Sequence, residues 1–224
     1  MKIACLIPAR GGSKGIPKKN IIDFNGKPLI SYSIEQAKMS KYIDKIFVTS
    51  DCNEILDISK SYGAFPILRP EELSTDFCSS ESALIDAISQ IGSDYDIFVF
   101  LQATSPLRTT EDIDSCIEEF LSKSLDSLFS SCVLEDFLIW DFNDGELQSI
   151  NYDYKKRKRR QDHKPQYVEN GSIYIFKKDS ILSSNNRLSG KVGMYLMENW
   201  KMFEIDSLED LKMCTALMKE FLIK

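Results

Sequence analysis

The chain has 224 residues, 34 acidic against 28 basic side chains, a formal net charge of −6 and 43% apolar residues. That acidic balance argues against general nucleic-acid binding, and no apolar run reaches the roughly 18–20 residues that span a bilayer. A single histidine, His163, and six cysteines without any C-x-x-C pairing argue against a histidine-based metal site or triad and against a disulfide or zinc framework.

Hydrophobic patterning predicts a strand over 2–8, a helix opened by Pro28 and running to about Ser40, a strand over 45–49 and a helix over 54–62 stopped by Gly63. A short strand at 65–68 and a helix at 80–91 follow, then an almost wholly apolar strand at 96–101. Thr110 is the expected cap of a helix reaching about Lys123. Alternating strands and helices predict a three-layer α/β domain on a mostly parallel sheet. Ligands bind such sheets at the C-terminal ends of the strands, where the first loop, Asp51 and Gln102 are expected to converge.

The middle of the chain changes character. Residues 137–142 and 146–150 flank Asn143-Asp144-Gly145, a hairpin signal. The run KKRKRR over 155–160 comes next, readable as a nuclear signal, a nucleic-acid patch or a solvated basic loop, and then a strand at 172–176. Residues 202–205 are expected to rejoin the sheet as a strand, and 208–222 to close the chain as an amphipathic helix. Residues 1–224 thus read as one domain, with 136–166 as an inserted hairpin and basic loop. The apolar start at Ala4–Ile7 is too short for a secretory signal, so the expected location is the cytoplasm.

The segment Ile3 to Asn20 reads IACLIPARGGSKGIPKKN. Its glycines let the backbone pass close to a ligand, while Arg10, Lys14, Lys18 and Lys19 supply positive charge. After a parallel strand, that combination suits a triphosphate. It is neither a Walker loop nor a dinucleotide G-x-G-x-x-G. Followed by Gly26-Lys27-Pro28-Leu29, it resembles the sugar-acid cytidylyltransferases, and among them the acylneuraminate branch, which makes CMP-sialic acid and relatives such as CMP-legionaminic acid. The resemblance continues through Arg69-Pro70-Glu71-Glu72-Leu73, LQATSPLR at 101–108, Arg160-Gln161-Asp162, Glu169-Asn170-Gly171 and Glu204-Ile205-Asp206.

The resemblance implies a Rossmann-like, glycosyltransferase-A-like nucleotidyltransferase domain. Its hairpin would be a dimerisation element reaching over the site of a second copy. The implied partners are CTP and a nonulosonic acid, with no nucleic acid and no membrane, and the implied cofactor is Mg²⁺, with Mn²⁺ as substitute. The implied products are pyrophosphate and CMP-N-acetylneuraminate or CMP-legionaminate. Alternatives are another sugar acid (pseudaminic acid, Kdo) or a non-catalytic nucleotide-binding subunit. Arg10, Lys14 and Asp206 are the expected catalytic residues. Ala9, Arg10, Gly11, Gly12, Ser13, Lys14, Lys19 and Asn20 are expected to hold the nucleotide, with Arg69, Ser79 and Ser80 near cytosine and ribose. Gln102, Arg160, Gln161 and Asn170 are the expected contacts of the sugar acid. Val168 stands where some bacterial sialic-acid enzymes carry an arginine.

Glu204 and Asp206 are the candidate metal ligands. On a strand, residues two apart point to one face, and paired carboxylates with hard oxygens suit Mg²⁺. The competing reading makes Asp206 the N-cap of the last helix, a role Ser207 would fill equally well. The resembling family usually has aspartate at both positions, so Glu204 is a departure.

Overall fold

The computed structural model describes every residue except Lys14, Asp76, Phe77, Glu135, Asp136, His163 and Lys224, together with the side chain of Arg160. The strand β1 (Ile3–Pro8) leads through the glycine-rich loop into a two-residue ribbon, β2 (Asp23–Phe24) and β3 (Lys27–Pro28). Asn25 and Gly26 turn that ribbon at φ of 50° and 85°, the left-handed pair of a tight hairpin. Helix α1 (Leu29–Met39), β4 (Lys45–Ser50), α2 (Asn53–Ser61), β5 (Phe65–Leu68), α3 (Ser80–Ile91) and β6 (Ile97–Leu101) then alternate as the pattern predicts.

Helix α4 (Thr110–Ser122) follows, then β7 (Ser127–Val133), the exposed ribbon of β8 (Trp140–Asn143) and β9 (Glu146–Ser149), and the long β10 (Tyr167–Lys177). The chain ends with α5 (Lys178–Ser184), β11 (Val192–Leu196) and α6 (Leu208–Phe221). Seven strands form one sheet in the order β11-β7-β10-β6-β1-β4-β5. Only β10 runs against its neighbours in that sheet; the remaining pairs are parallel.

Alternation along β1 makes the layers. Ile3, Cys5 and Ile7 pack with Ile30 and Ile34 of α1, Ile55 of α2 and Ile117 of α4. Ala4 and Leu6 face the other way, onto Leu84 and Ile88 of α3 and Ile181 of α5. A smaller cluster, with Ile16, Phe24 and Leu29 against Cys214 and Met218, ties α6 to the loop that follows β1.

Two local expectations are corrected. Thr109, not Thr110, caps α4, because its side chain and that of Asp112 form a reciprocal capping box. Residues 202–205 are not a strand: the edge beside β7 is taken by β11, Met202 ends a single turn, and the Ile205 N–H donates to the Thr104 carbonyl at 2.8 Å. Strands β7 and β11 are themselves additions to the predicted set. The hairpin at Asp144-Gly145 stands where the sequence places it, with φ of 51° and 85°. No helix among the described residues is long and apolar enough to cross a membrane.

Candidate active site

A polar cleft of about 550 Å³ opens at the C-terminal ends of β1, β5 and β6. One wall is the glycine-rich loop, with Arg10, Ser13, Gly15, Lys19 and Asn20; the other carries Gln102, Ala103 and Thr104. Arg69 and the start of α3, Ser79 and Ser80, close one end, and Asp206 stands at the lip.

The loop is held from beneath. The Gly11 N–H donates to Asp51 Oδ1 at 2.9 Å, and Asn20, only 6% exposed, donates through Nδ2 to the Arg10 carbonyl at 3.0 Å. Asp51 and Asn20 therefore fix the backbone that carries Arg10. Gly15 passes so close to the Asp206 carbonyl oxygen that a Cβ would collide with it. Any larger residue there would push the loop and the Asp206 turn apart. Across that contact, Lys19 Nζ pairs with Asp206 Oδ1 at 2.6 Å.

Arg69 is buried, donating from Nη2 to the Thr49 carbonyl at 2.8 Å, and burial lowers its pKa from the usual arginine value. This satisfies its backbone bracket on β4 while the residue still lines the cleft. Ser79 is the N-cap of α3, accepting from the Ser82 N–H, so the cleft faces the open amide end of that helix.

Asp206 is not a cap. Ser207 and Asp210 form the capping box of α6, which leaves the Asp206 carboxylate, 71% exposed, turned to Lys19. Glu204 lies further in. Its Oε2 accepts from Gln102 Nε2 at 2.7 Å and from Thr104 Oγ1 at 3.3 Å. Burial, and then the nearby Asp206 charge, raise its pKa above the usual carboxylate value.

The cleft thus gathers Arg10, Ser13, Lys19, Asn20, Arg69, Ser79, Ser80, Gln102 and Asp206 from the predicted set. Ala9 is buried in the core just below, with its N–H donating to the Thr49 carbonyl, and Gly11 and Gly12 shape the loop without lining the cleft. Lys14 and the Arg160 side chain lie outside the described residues. Gln161 is exposed on a single turn, Arg160–Asp162, and does not line the cleft. Asn170 does not line it either: it is buried, its Oδ1 accepting from Ser130 Oγ at 2.6 Å and its Nδ2 donating to the Lys201 carbonyl at 3.3 Å. Its amide is spent on joining β10 to β7 and to the turn before residue 203.

Sequence reasoning gave no role to Arg108, which is 1% exposed. Its Nη2 donates to the Gln102 carbonyl, while Nη1 reaches Ser33 Oγ at 2.8 Å and Nε reaches Ser172 Oγ at 3.1 Å. Complete burial pushes its pKa down to about 10. The segment LQATSPLR was marked, but nothing local shows that an arginine in the loop between β6 and α4 brackets that loop from within. Thr75 and Cys78 are further lining residues that patterning did not mark.

A family model described as Cytidylyltransferase matches residues 4–223. The pseudaminic acid cytidylyltransferase of Campylobacter jejuni serotype O:2 is 35% identical, the match covering 98% of this chain and 97% of that protein. The N-acylneuraminate cytidylyltransferase of Streptococcus agalactiae serotype V is also 35% identical, over 94% of this chain and 52% of that longer protein. Among solved structures, CMP:2-keto-3-deoxy-manno-octonic acid synthetase complexed with CTP superposes with a TM-score of 0.74 at 19% identity, covering 99% of this chain and 100% of that one. The last is a likeness of fold. With the match running through the cleft-forming loop, the β6 end and the Asp206 turn alike, the chain belongs to the cytidylyltransferase family of nucleotidyl-transferring enzymes.

Proposed function

We propose that this protein activates a nonulosonic acid with CTP, releasing pyrophosphate and a CMP-sugar. The observation that carries the reading is the two-sided cleft. Arg10, Ser13 and Lys19 line the glycine-rich wall, and a hydrogen-bonding wall at Gln102 and Thr104 faces them. The first wall suits a triphosphate, the second a polyhydroxy acid.

In this reading the anomeric hydroxyl of the acid attacks the α-phosphorus of CTP. Arg10, Lys14 and Lys19 offset the charge that builds on the phosphates as pyrophosphate leaves. Ser79, Ser80 and Arg69 hold the nucleoside end. Mg²⁺, or Mn²⁺ in its place, suits the donor set, since a single exposed carboxylate at a phosphate site is an ordinary way to hold it. Asp206 would be its protein ligand, with Glu204 behind it. When bound, the ion supplies charge neutralisation at the phosphates.

Pseudaminic acid is the first acceptor to test, because the relative of that name matches over nearly its whole length. N-acetylneuraminic and legionaminic acids come next. Val168, packed against the core, offers no cation where some sialic-acid enzymes carry one. The hairpin of β8 and β9 presents Trp140, Phe142 and Leu147 to solvent, more apolar surface than a lone ribbon keeps in water. A homodimer that buries it completes the proposal, with the 155–160 loop brought over the neighbouring cleft.

The test is pyrophosphate release from each of the four nucleoside triphosphates against pseudaminic, legionaminic, N-acetylneuraminic and Kdo acceptors. Release with CTP and a nonulosonic acid is expected; release with none of the acids overturns the reading.

A further inference from the structure

Gln102 is gripped at both ends. Arg108 Nη2 holds its backbone carbonyl, and Glu204 Oε2 takes a hydrogen bond from its side-chain Nε2 at 2.7 Å. Thr104 Oγ1 donates to the same carboxylate oxygen at 3.3 Å, which fixes Glu204 in turn. Room for this carboxylate comes from Gly171 at the bulge of β10. Gly171 has φ of 68°, and a Cβ there would collide with Glu204 Oε1 and stand 3.0 Å from Gln102 Nε2. Asp206, two residues on, does something different: it turns outward to Lys19. The two carboxylates of E-x-D are therefore divided between the two walls of the cleft.

We propose that Glu204 is a positioning residue for the acceptor, orienting Gln102 so that its carbonyl oxygen is the atom presented to the sugar acid. This rests on the function proposed above. With Nε2 committed to Glu204, Gln102 Oε1 accepts a hydrogen bond and so reads a donor on the substrate, a hydroxyl or an acylamino N–H. The geometry needs a side chain of glutamate length, because the carboxylate has to cross from the turn before α6 to the end of β6. An acceptor whose donor at that position is replaced by an ether or a ketone loses the contact and leaves Oε1 buried without a partner.

The experiment compares Glu204→Ala, Glu204→Gln and Gln102→Ala with the wild type. The readouts are steady-state pyrophosphate release and calorimetric titration of the sugar acid without added metal. Glu204→Ala and Gln102→Ala are each expected to raise the acceptor's KM and Kd about tenfold, with the CTP KM and the Mg²⁺ activation constant unchanged. Glu204→Gln keeps an oxygen that accepts from Gln102 Nε2 and is expected to stay within about threefold of the wild type. In the Gln102→Ala background, Glu204→Ala adds no further loss.

An unchanged acceptor KM and Kd in Glu204→Ala overturns the assignment, as it does in Gln102→Ala should the former not fold. Equal damage in Glu204→Gln and Glu204→Ala with a shifted Mg²⁺ activation constant also overturns it, and makes Glu204 a metal ligand. A wild type that releases no pyrophosphate with any acid overturns the proposed function itself, and this assignment with it.

Discussion

Lys19 Nζ sits 2.6 Å from Asp206 Oδ1 across 187 residues of sequence, and this pair joins the glycine-rich loop to the turn before α6. Because Asp206 is 71% exposed, the pair adds little to stability. Lys19→Met is expected to shift the unfolding free energy by less than about 1 kcal/mol. The same substitution should raise the barrier to turnover by roughly 2.7–4 kcal/mol, as removal of a charge-stabilising donor does. Arg10→Ala and Lys14→Ala should behave alike. Melting curves and kcat/KM separate the two effects, and near-normal kcat/KM in all three variants would refute the triphosphate placement.

Lys201 makes the contrasting case. It is 5% exposed, and its Nζ donates to both oxygens of Asp112 at 2.9 and 2.8 Å and pairs with Glu198 at 2.7 Å. Lys201→Met strands the buried Asp112 charge and is expected to cost about 3–5 kcal/mol. Chemical denaturation reads this directly, and a loss under 1 kcal/mol would show that water reaches Asp112.

Asp206→Asn is expected to abolish most metal-dependent turnover, whereas Glu204→Gln retains it. Turnover should stop in EDTA and return with Mg²⁺ or Mn²⁺. Titrating activity against metal concentration tests both statements. Full activity in EDTA, or an unaffected Asp206→Asn enzyme, sinks the carboxylate-held ion.

Arg187 Nε donates to Glu81 Oε1 at 2.7 Å, and its guanidinium lies 4.9 and 4.8 Å from the ring centres of Phe100 and Tyr174. Burial pushes the Glu81 carboxyl up, but the hydrogen bond and charge of Arg187 outweigh it and hold the group below its usual range. A carboxyl depressed on folding stabilises above its unfolded pKa, near about 4.3, and loses that contribution as pH falls through the lower folded value. Arg187→Gln should therefore cost about 1 kcal/mol at pH 7, with the partly exposed pair discounted for screening. Urea titrations at pH 7 and at about pH 3.5 should show the gap narrowing. A gap that stays constant with pH would mean that ring stacking alone holds Arg187.

Trp140 is 41% exposed and packs at its ring edge against Tyr152, 5.8 Å between centroids. Trp140→Asp should weaken a homodimer built on the hairpin and, where the site is shared, lower turnover too. Sedimentation of wild type and variant decides. A fully active wild-type monomer at micromolar concentration rules the arrangement out.

The layers and most of the cleft were legible because they depend on local rules. The apolar runs of β1 and β6, the Gly63 stop and the Asp144-Gly145 turn each announce themselves within a few residues. Strand β7 does not, since Ser127, Ser130 and Ser131 interrupt its apolar run and yet are buried. Their hydroxyls are satisfied by Ser189, Asn170 and Tyr195, partners that no local pattern shows. Asn170 is a similar case, expected at the sugar acid and found buried away from the cleft. A polar residue at a strand bulge looks like a ligand contact until its amide is seen to serve the interior. Arg108 completes the lesson, since its hydrogen-bond partners come from α1, β10 and the loop after β6.

The contact between the first loop and the last turn also has a consequence for synthesis. At roughly 5–20 residues per second, a ribosome needs about 10–40 s to deliver Asp206 after Lys19 has emerged. Through that interval Lys19 stands without its Asp206 partner, and Gly15 has no turn to rest against. The nascent domain can assemble its first parallel strands during that time, but the cleft in its finished form has to wait for nearly the whole chain. Premature termination before residue 203 would therefore leave the sheet with both walls of the cleft in place but without Asp206 at its lip.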